Sequence, residues 1–131
     1  MTVATLRIEG ARISGIPSLY GELNRVFMPD EDWTLGESLD ALDDLLYGGF
    51  GVLDGAAPVR VVWADYAVSA EALGTAATRA WYAAKLARPE VYAAGQARRA
   101  LDALEAGTGE TYVDLVRQVF AGHPNIDLVL E

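Results

Sequence analysis

Cysteine is absent from all 131 residues, which excludes disulfides, thiol catalysis and thiolate metal sites and suits a reducing compartment. Histidine is nearly absent too. His123 stands alone beside Pro124; one histidine without help cannot supply the acid–base pair of a ribonuclease, and in a turn next to proline it reads as structural. No apolar run reaches the roughly 18 residues that a membrane-spanning helix needs. The opening MTVATLRIEG lacks the basic-then-apolar order of a secretory signal, so a cytoplasmic protein with no membrane contact is expected. Serine and threonine have no histidine in a recognisable nucleophile pattern, and GGFG at 48–51 lacks the lysine and spacing of a phosphate loop. No enzymatic chemistry is indicated, and no cofactor is expected.

Positive charge is the third scarcity. Ten Lys and Arg stand against nineteen Asp and Glu, a net charge of −9. Residues 1–66 hold eleven acidic and four basic side chains, residues 67–131 eight and six. Such a surface repels phosphates, so direct nucleic-acid binding is not expected. It attracts cationic partners and speeds their approach. With 52% hydrophobic and 22% charged residues the chain is of ordinary globular composition, and its length suits a single domain over 1–131 with a real core.

Periodicity orders the chain. Residues 3–9 read as a strand closed by Gly10, and a helix follows from Pro17 or Ser18 to Phe27, with Leu19, Leu23 and Phe27 as its buried stripe. Pro29 stops it. A second helix spans about Ser38 to Tyr47 and ends at Gly48-Gly49; residues 50–58 read as a loop. VRVVWADY, residues 59–66, reads as a strand covered on both faces, with Trp63 and Tyr66 as core and strand-end residues. Alanine-rich residues 69–87 and 89–105 predict two helices, with Pro89 opening the second. Glu110 to Ala121 predicts a last helix, with Tyr112, Leu115, Val116, Val119 and Phe120 available to the core, and NIDLVLE, residues 125–131, a closing strand. Strands separated by helices require crossovers, hence an α/β fold with a small parallel sheet.

The most unusual stretch is DEDWTLGESLDALDDLLYG, residues 30–48, with seven carboxylates and no basic residue. On a helix, Leu39, Leu42, Leu45 and Leu46 form an apolar face. Asp40 and Asp44 stack on the opposite side, with Asp43 beside them and Glu37 a turn earlier. Like charges at this spacing cost a helix some tenths of a kcal/mol. The helix dipole offsets part of that for Glu37 and Asp40, and less for Asp43 and Asp44. Three readings follow: a solvated face; a divalent cation site, which lacks the Asp-x-Asp-x-Asp-Gly calcium loop; or a docking face for a cationic cleft, its carboxylates replacing substrate phosphates against Arg, Lys and His⁺.

GESLDALDD, residues 36–44, closely resembles the GENLDALWD stretch of the barstar family of intracellular ribonuclease inhibitors. LRIEGARISGIPSLYGELNRVF is similar to the family's first strand and helix. A proline near position 29 precedes the acidic helix in both; VRVVWADY is similar to the second strand; YVDLVRQVF and NIDLVLE are similar to the last helix and strand. The resemblance implies a three-stranded parallel sheet packed with helices. It also implies inhibition of a basic ribonuclease or related nuclease toxin, whose active site the acidic helix and preceding loop would enter. Asp44 matches the dominant acidic contact, Asp40 the second, Gly36 the loop glycine near the enzyme and Gly48 the glycine ending the helix. Asp43, Glu37, Trp33 and Thr34 complete the expected partner-binding set, with no metal among its members.

The chain departs from the family pattern. Thr34 and Leu35 stand where the family has two tyrosines, leaving Trp33 to supply stacking. Asp43 and Gly49 replace tryptophans, and Ala121 or Gly122 falls where a contact glutamate is found. Residues 69–107 form a helical insertion holding half of the basic residues: Arg79, Lys85, Arg88, Arg98 and Arg99. Its apolar residues (Leu73, Trp81, Leu86, Leu101, Leu104) are expected to pack on the core or on a second copy, so a homodimer through the inserted pair is a further expectation. These departures also motivate the alternative of a barstar-like regulatory module with a non-nuclease partner.

Overall fold

A computed structural model describes residues 4–55, 58–90 and 94–131. The described residues form an α/β fold with a three-stranded, all-parallel sheet and six α-helices. In chain order these are β1 (Ala4–Glu9), α1 (Ile16–Phe27), α2 (Leu39–Tyr47), β2 (Val59–Ala64), α3 (Tyr66–Ala72), α4 (Thr75–Leu86), α5 (Ala94–Glu105), α6 (Tyr112–Ala121) and β3 (Ile126–Leu130), with short 3₁₀ turns at Gly10–Arg12 and Gly51–Leu53. β2 is central, in register Leu6↔Val61 on one side and Val61↔Leu128 on the other.

The apolar stripes explain the packing. Leu19, Leu23 and Phe27 of α1 are fully buried with Leu42, Leu45 and Leu46 of α2 and Tyr112, Val116 and Phe120 of α6. Together they cover Ile8, Val61 and Trp63 in one continuous core. Leu115 and Val119 lie partly buried at its edge. Two buried polar links tie the layers. Trp63 Nε1 donates to Ser69 Oγ at 3.0 Å, and Ser69 Oγ donates to the Gly10 carbonyl at 2.9 Å. Only glycine fits there, because a Cβ at position 10 would collide with the Ala64 carbonyl oxygen. Tyr20 and Tyr112 share a buried hydroxyl–hydroxyl hydrogen bond of 2.6 Å; burial first of all pushes both phenols up, and Glu37 adds to it.

Four expectations are corrected. The sheet is helix-covered on one face only: Val59, Val61 and Trp63 are buried, whereas Arg60 is exposed and Val62 half-buried. On the open face Arg60 pairs with Asp127 at 3.2 Å and Arg7 with Glu9 at 2.8 Å. A parallel sheet that leaves one face in water is unusual; the ion pairs make that face polar. Tyr66 is not a strand end, because Asp65 turns left-handed (φ 51°) and Tyr66 opens α3.

The predicted helix over 69–87 is interrupted at Leu73-Gly74, giving α3 and α4. A Cβ at Gly74 would stand 3.1 Å from the Glu71 carbonyl oxygen, and the Gly74 carbonyl accepts from Thr78 Oγ1 at 2.7 Å. The described part of the next helix begins at Ala94, and Pro89 lies in a turn; the expected helical residues 91–93 lie outside the described residues. α4 and α5 form a hairpin joined by Arg79–Glu105 at 2.5 Å. Thr78 Oγ1 accepts the Tyr112 N–H at 2.8 Å and Trp81 meets the Tyr112 ring edge-on at 4.8 Å. Leu73 lies in the core and Trp81 packs against it, and Leu104 is also buried.

Candidate functional site

α2 is held rigidly at both ends. Ser38 caps it, its side chain accepting the Ala41 N–H at 3.1 Å. Gly48 ends it in the left-handed region at φ 88°, where a Cβ would lie 3.0 Å from the Leu53 carbonyl oxygen. Gly48 is therefore required by the chain's own fold, whatever else touches it. Leu42, Leu45 and Leu46 anchor the inner face at 0% exposure, which turns Asp40 and Asp44 outward, both exposed.

Asp43 behaves differently. It is half-exposed, and its Oδ1 lies 2.7 Å from Nε2 of His123, which is 4% exposed. With the carboxylate ionised, Nε2 carries the hydrogen and donates it. The adjacent Tyr47 ring meets His123 nearly perpendicular, centroids 4.7 Å apart. Asp43 thus ties α2 to the turn after α6, while its side chain stays 45% exposed.

The loop before α2 is pinned from within. Leu35 is buried, and its N–H donates to Asn24 Oδ1 at 2.8 Å, so one of the two positions where the family has tyrosine points into the core. Thr34 is exposed. Trp33, 45% exposed, rests on Phe50 with ring centroids 4.9 Å apart. Gly36 is exposed and a Cβ there would meet nothing within 4 Å; the fold itself does not demand glycine at that position. Glu37 is exposed yet close enough to the Tyr20–Tyr112 pair for its charge to act on both phenols.

The structure brings Trp33, Thr34, Gly36, Glu37, Asp40 and Asp44 onto one exposed loop-and-helix segment. It adds two residues that the sequence reading left out of the site. Tyr47 is 73% exposed at the end of α2. It is three residues from Asp44 and seven from Asp40, hence on their side of the helix; that spacing was the available signal. Lys85, from the insertion, lies with its Nζ 3.9 Å from the centre of the Trp81 ring. Burial lowers its pKa, and the nearby Asp40 charge works the other way. The insertion therefore comes near the acidic segment at Lys85 and Asp40.

Chemically, the segment offers hydrogen-bond acceptors and an exposed aromatic ring. Among the described residues, no cluster of three or more His, Asp or Glu is placed to hold a metal ion, and no helix is long and apolar enough to cross a membrane. No protein-family model matches the chain, and no curated protein is significantly similar to it.

Proposed function

We propose that the protein is a barstar-type inhibitor of a ribonuclease or related nuclease toxin, and not itself an enzyme. In this reading α2 and the loop before it enter a cationic active site, Asp44 and Asp40 taking the places of substrate phosphates, with Glu37, Trp33, Thr34 and Gly36 alongside. The observation that carries it is the outward pair Asp40 and Asp44 on a helix whose inner leucines are wholly buried. Like charges one turn apart disfavour a helix, and among the described residues no hydrogen bond or ion pair holds Asp44. A cationic partner would supply the compensation that Asp44 lacks.

The test is titration of the protein into a barnase-type ribonuclease while RNA cleavage is followed. Stoichiometric inhibition that weakens with added salt is expected, since rim charges chiefly set association rate and salt sensitivity. The second reading, a regulatory module for a non-nuclease partner, draws on Lys85, which places a cation of the insertion beside Asp40. A pull-down that recovers a non-nuclease through the insertion, and tolerates loss of Asp40 and Asp44, would favour it.

A further inference from the structure

β3 is an outer strand of the sheet, and its hydrogen-bonding side can be assigned. Asn125 accepts the Val59 N–H at 3.0 Å and the Glu131 N–H donates to the Trp63 carbonyl at 2.9 Å. Alternation along a strand then turns the N–H and C=O of Asp127 and Val129 toward β2, and those of Ile126, Leu128 and Leu130 outward. The Ile126 N–H is taken by the His123 carbonyl at 3.0 Å. Among the described residues nothing is paired with the outward groups of Leu128 and Leu130.

The other outer strand is likewise covered at one end. At β1 the Glu9 N–H donates to the buried Glu22 carboxylate at 2.6 Å. β3 contains neither Lys nor Pro, and its register with β2 runs without a bulge from Ile126 to Leu130. Apart from the single charge of Asp127, it therefore lacks the common devices that blunt a sheet edge. Beside it runs an open groove of about 560 Å³ between α6 and β3, with Phe120, Leu128 and Leu130 on its wall. Leu130 is 38% exposed.

We infer that β3 pairs antiparallel with β3 of a second copy of this chain, on a two-fold axis at Leu128, making one six-stranded sheet. The strand is self-complementary about that point. Leu128 faces Leu128 of the second copy as a hydrogen-bonded pair, each N–H meeting the other's carbonyl. The Leu130 N–H meets the carbonyl of Ile126 in the second copy. On the groove side, Leu128 meets Leu128 and Leu130 meets Ile126, closing both grooves with apolar contacts. On the open face Asp127 lies across from Val129, so no like charges oppose each other. The groove wall also carries Glu110, Asp114 and Arg117, and the same axis runs α6 antiparallel to its copy, so side chains of both signs line the junction. This pairing uses neither α2 nor the inserted helices.

Sedimentation equilibrium and light scattering across the micromolar range test it. A species of twice the 14.0 kDa chain mass is expected. Leu130→Pro removes an outward N–H that the monomer's sheet does not use, and it should return the mass to one chain with an unchanged circular dichroism spectrum. In this cysteine-free chain, Leu128→Cys should cross-link rapidly on mild oxidation. Its Cα atoms would stand about 5.5 Å apart, within disulfide reach. Thr5→Cys on the opposite edge should remain mostly monomeric under the same conditions. A wild-type mass of one chain at the highest concentration overturns the inference. So does a dimer that survives Leu130→Pro, or a Leu128→Cys cross-linking no faster than Thr5→Cys.

Discussion

Asp43 and Asp44 are neighbours on one helix, and alanine at each should move stability in opposite directions. Asp43 Oδ1 receives the hydrogen bond from buried His123 at 2.7 Å. Asp43→Ala leaves that ring nitrogen without its partner, a loss of about 1.5–3 kcal/mol for a bond to a charged group. Its side chain is 45% exposed, so water screens part of the loss, and alanine regains roughly 0.5 kcal/mol of helix propensity. The net cost is about 1–2 kcal/mol. Asp44 makes no such bond and stands one turn from Asp40, so Asp44→Ala relieves like-charge repulsion and gains propensity, stabilising by about 0.5–1 kcal/mol. Urea unfolding at neutral pH reads both. For a chain of this size the two variants should differ by roughly 5–10 °C in Tm. Equal shifts of the same sign would refute the assignment of Asp43 as the tie between α2 and the turn after α6.

The remaining predictions rest on individual contacts. Burial works to raise the Glu22 carboxyl, but the Arg25 guanidinium and the Glu9 N–H outweigh it and hold its pKa below the ordinary value. Its stabilisation is therefore present above the unfolded-state pKa, about 4.3 for Glu, and is lost as pH falls through the lower folded value. Glu22→Gln should flatten the stability–pH curve below about pH 4, and identical acid limbs would contradict this. Ser69→Ala leaves the buried Trp63 Nε1 and Gly10 carbonyl without the hydroxyl they share, and should cost about 2–3 kcal/mol in denaturant titrations. Gly48→Ala, at φ 88° and against the Leu53 carbonyl, should cost about 1–2 kcal/mol. Gly36→Ala, with open space around it, should stay within about 0.5 kcal/mol of wild type.

Local pattern carried much of the fold. The four-residue stripe of α1, the leucine face of α2 and the Gly48 stop were all legible, because helix faces and caps are written within one or two turns. What escaped was non-local. The apolar run VRVVWADY suggested burial on both faces; Arg60 argued otherwise, but its partner Asp127 is 67 residues away and is set by strand order. The Asp43–His123 tie spans 80 residues, so the sequence showed a carboxylate and a structural histidine without joining them. The break at Gly74 lay within an alanine-rich stretch whose helix propensity masked it, although Gly-Thr there fits a helix start as well as a helix interior. Of the site, the outward placement of Asp40 and Asp44 was readable from spacing. The inward turn of Leu35 depended on Asn24, a contact made through the tertiary fold.

In the proposed complex Asp40 and Asp44 meet the partner while Asp43 serves the fold. That division of roles is tested most directly by inhibition constants for Asp44→Ala, Asp40→Ala and Asp43→Asn against a barnase-type ribonuclease at physiological salt. One-to-one inhibition by the wild type is expected. The first two variants should lose roughly 30-fold or more, the scale of a 2 kcal/mol hot spot, and Asp43→Asn should stay within about threefold of wild type. RNA cleavage undiminished at stoichiometric excess of the wild-type protein, or Asp44→Ala inhibiting as well as wild type, would contradict it.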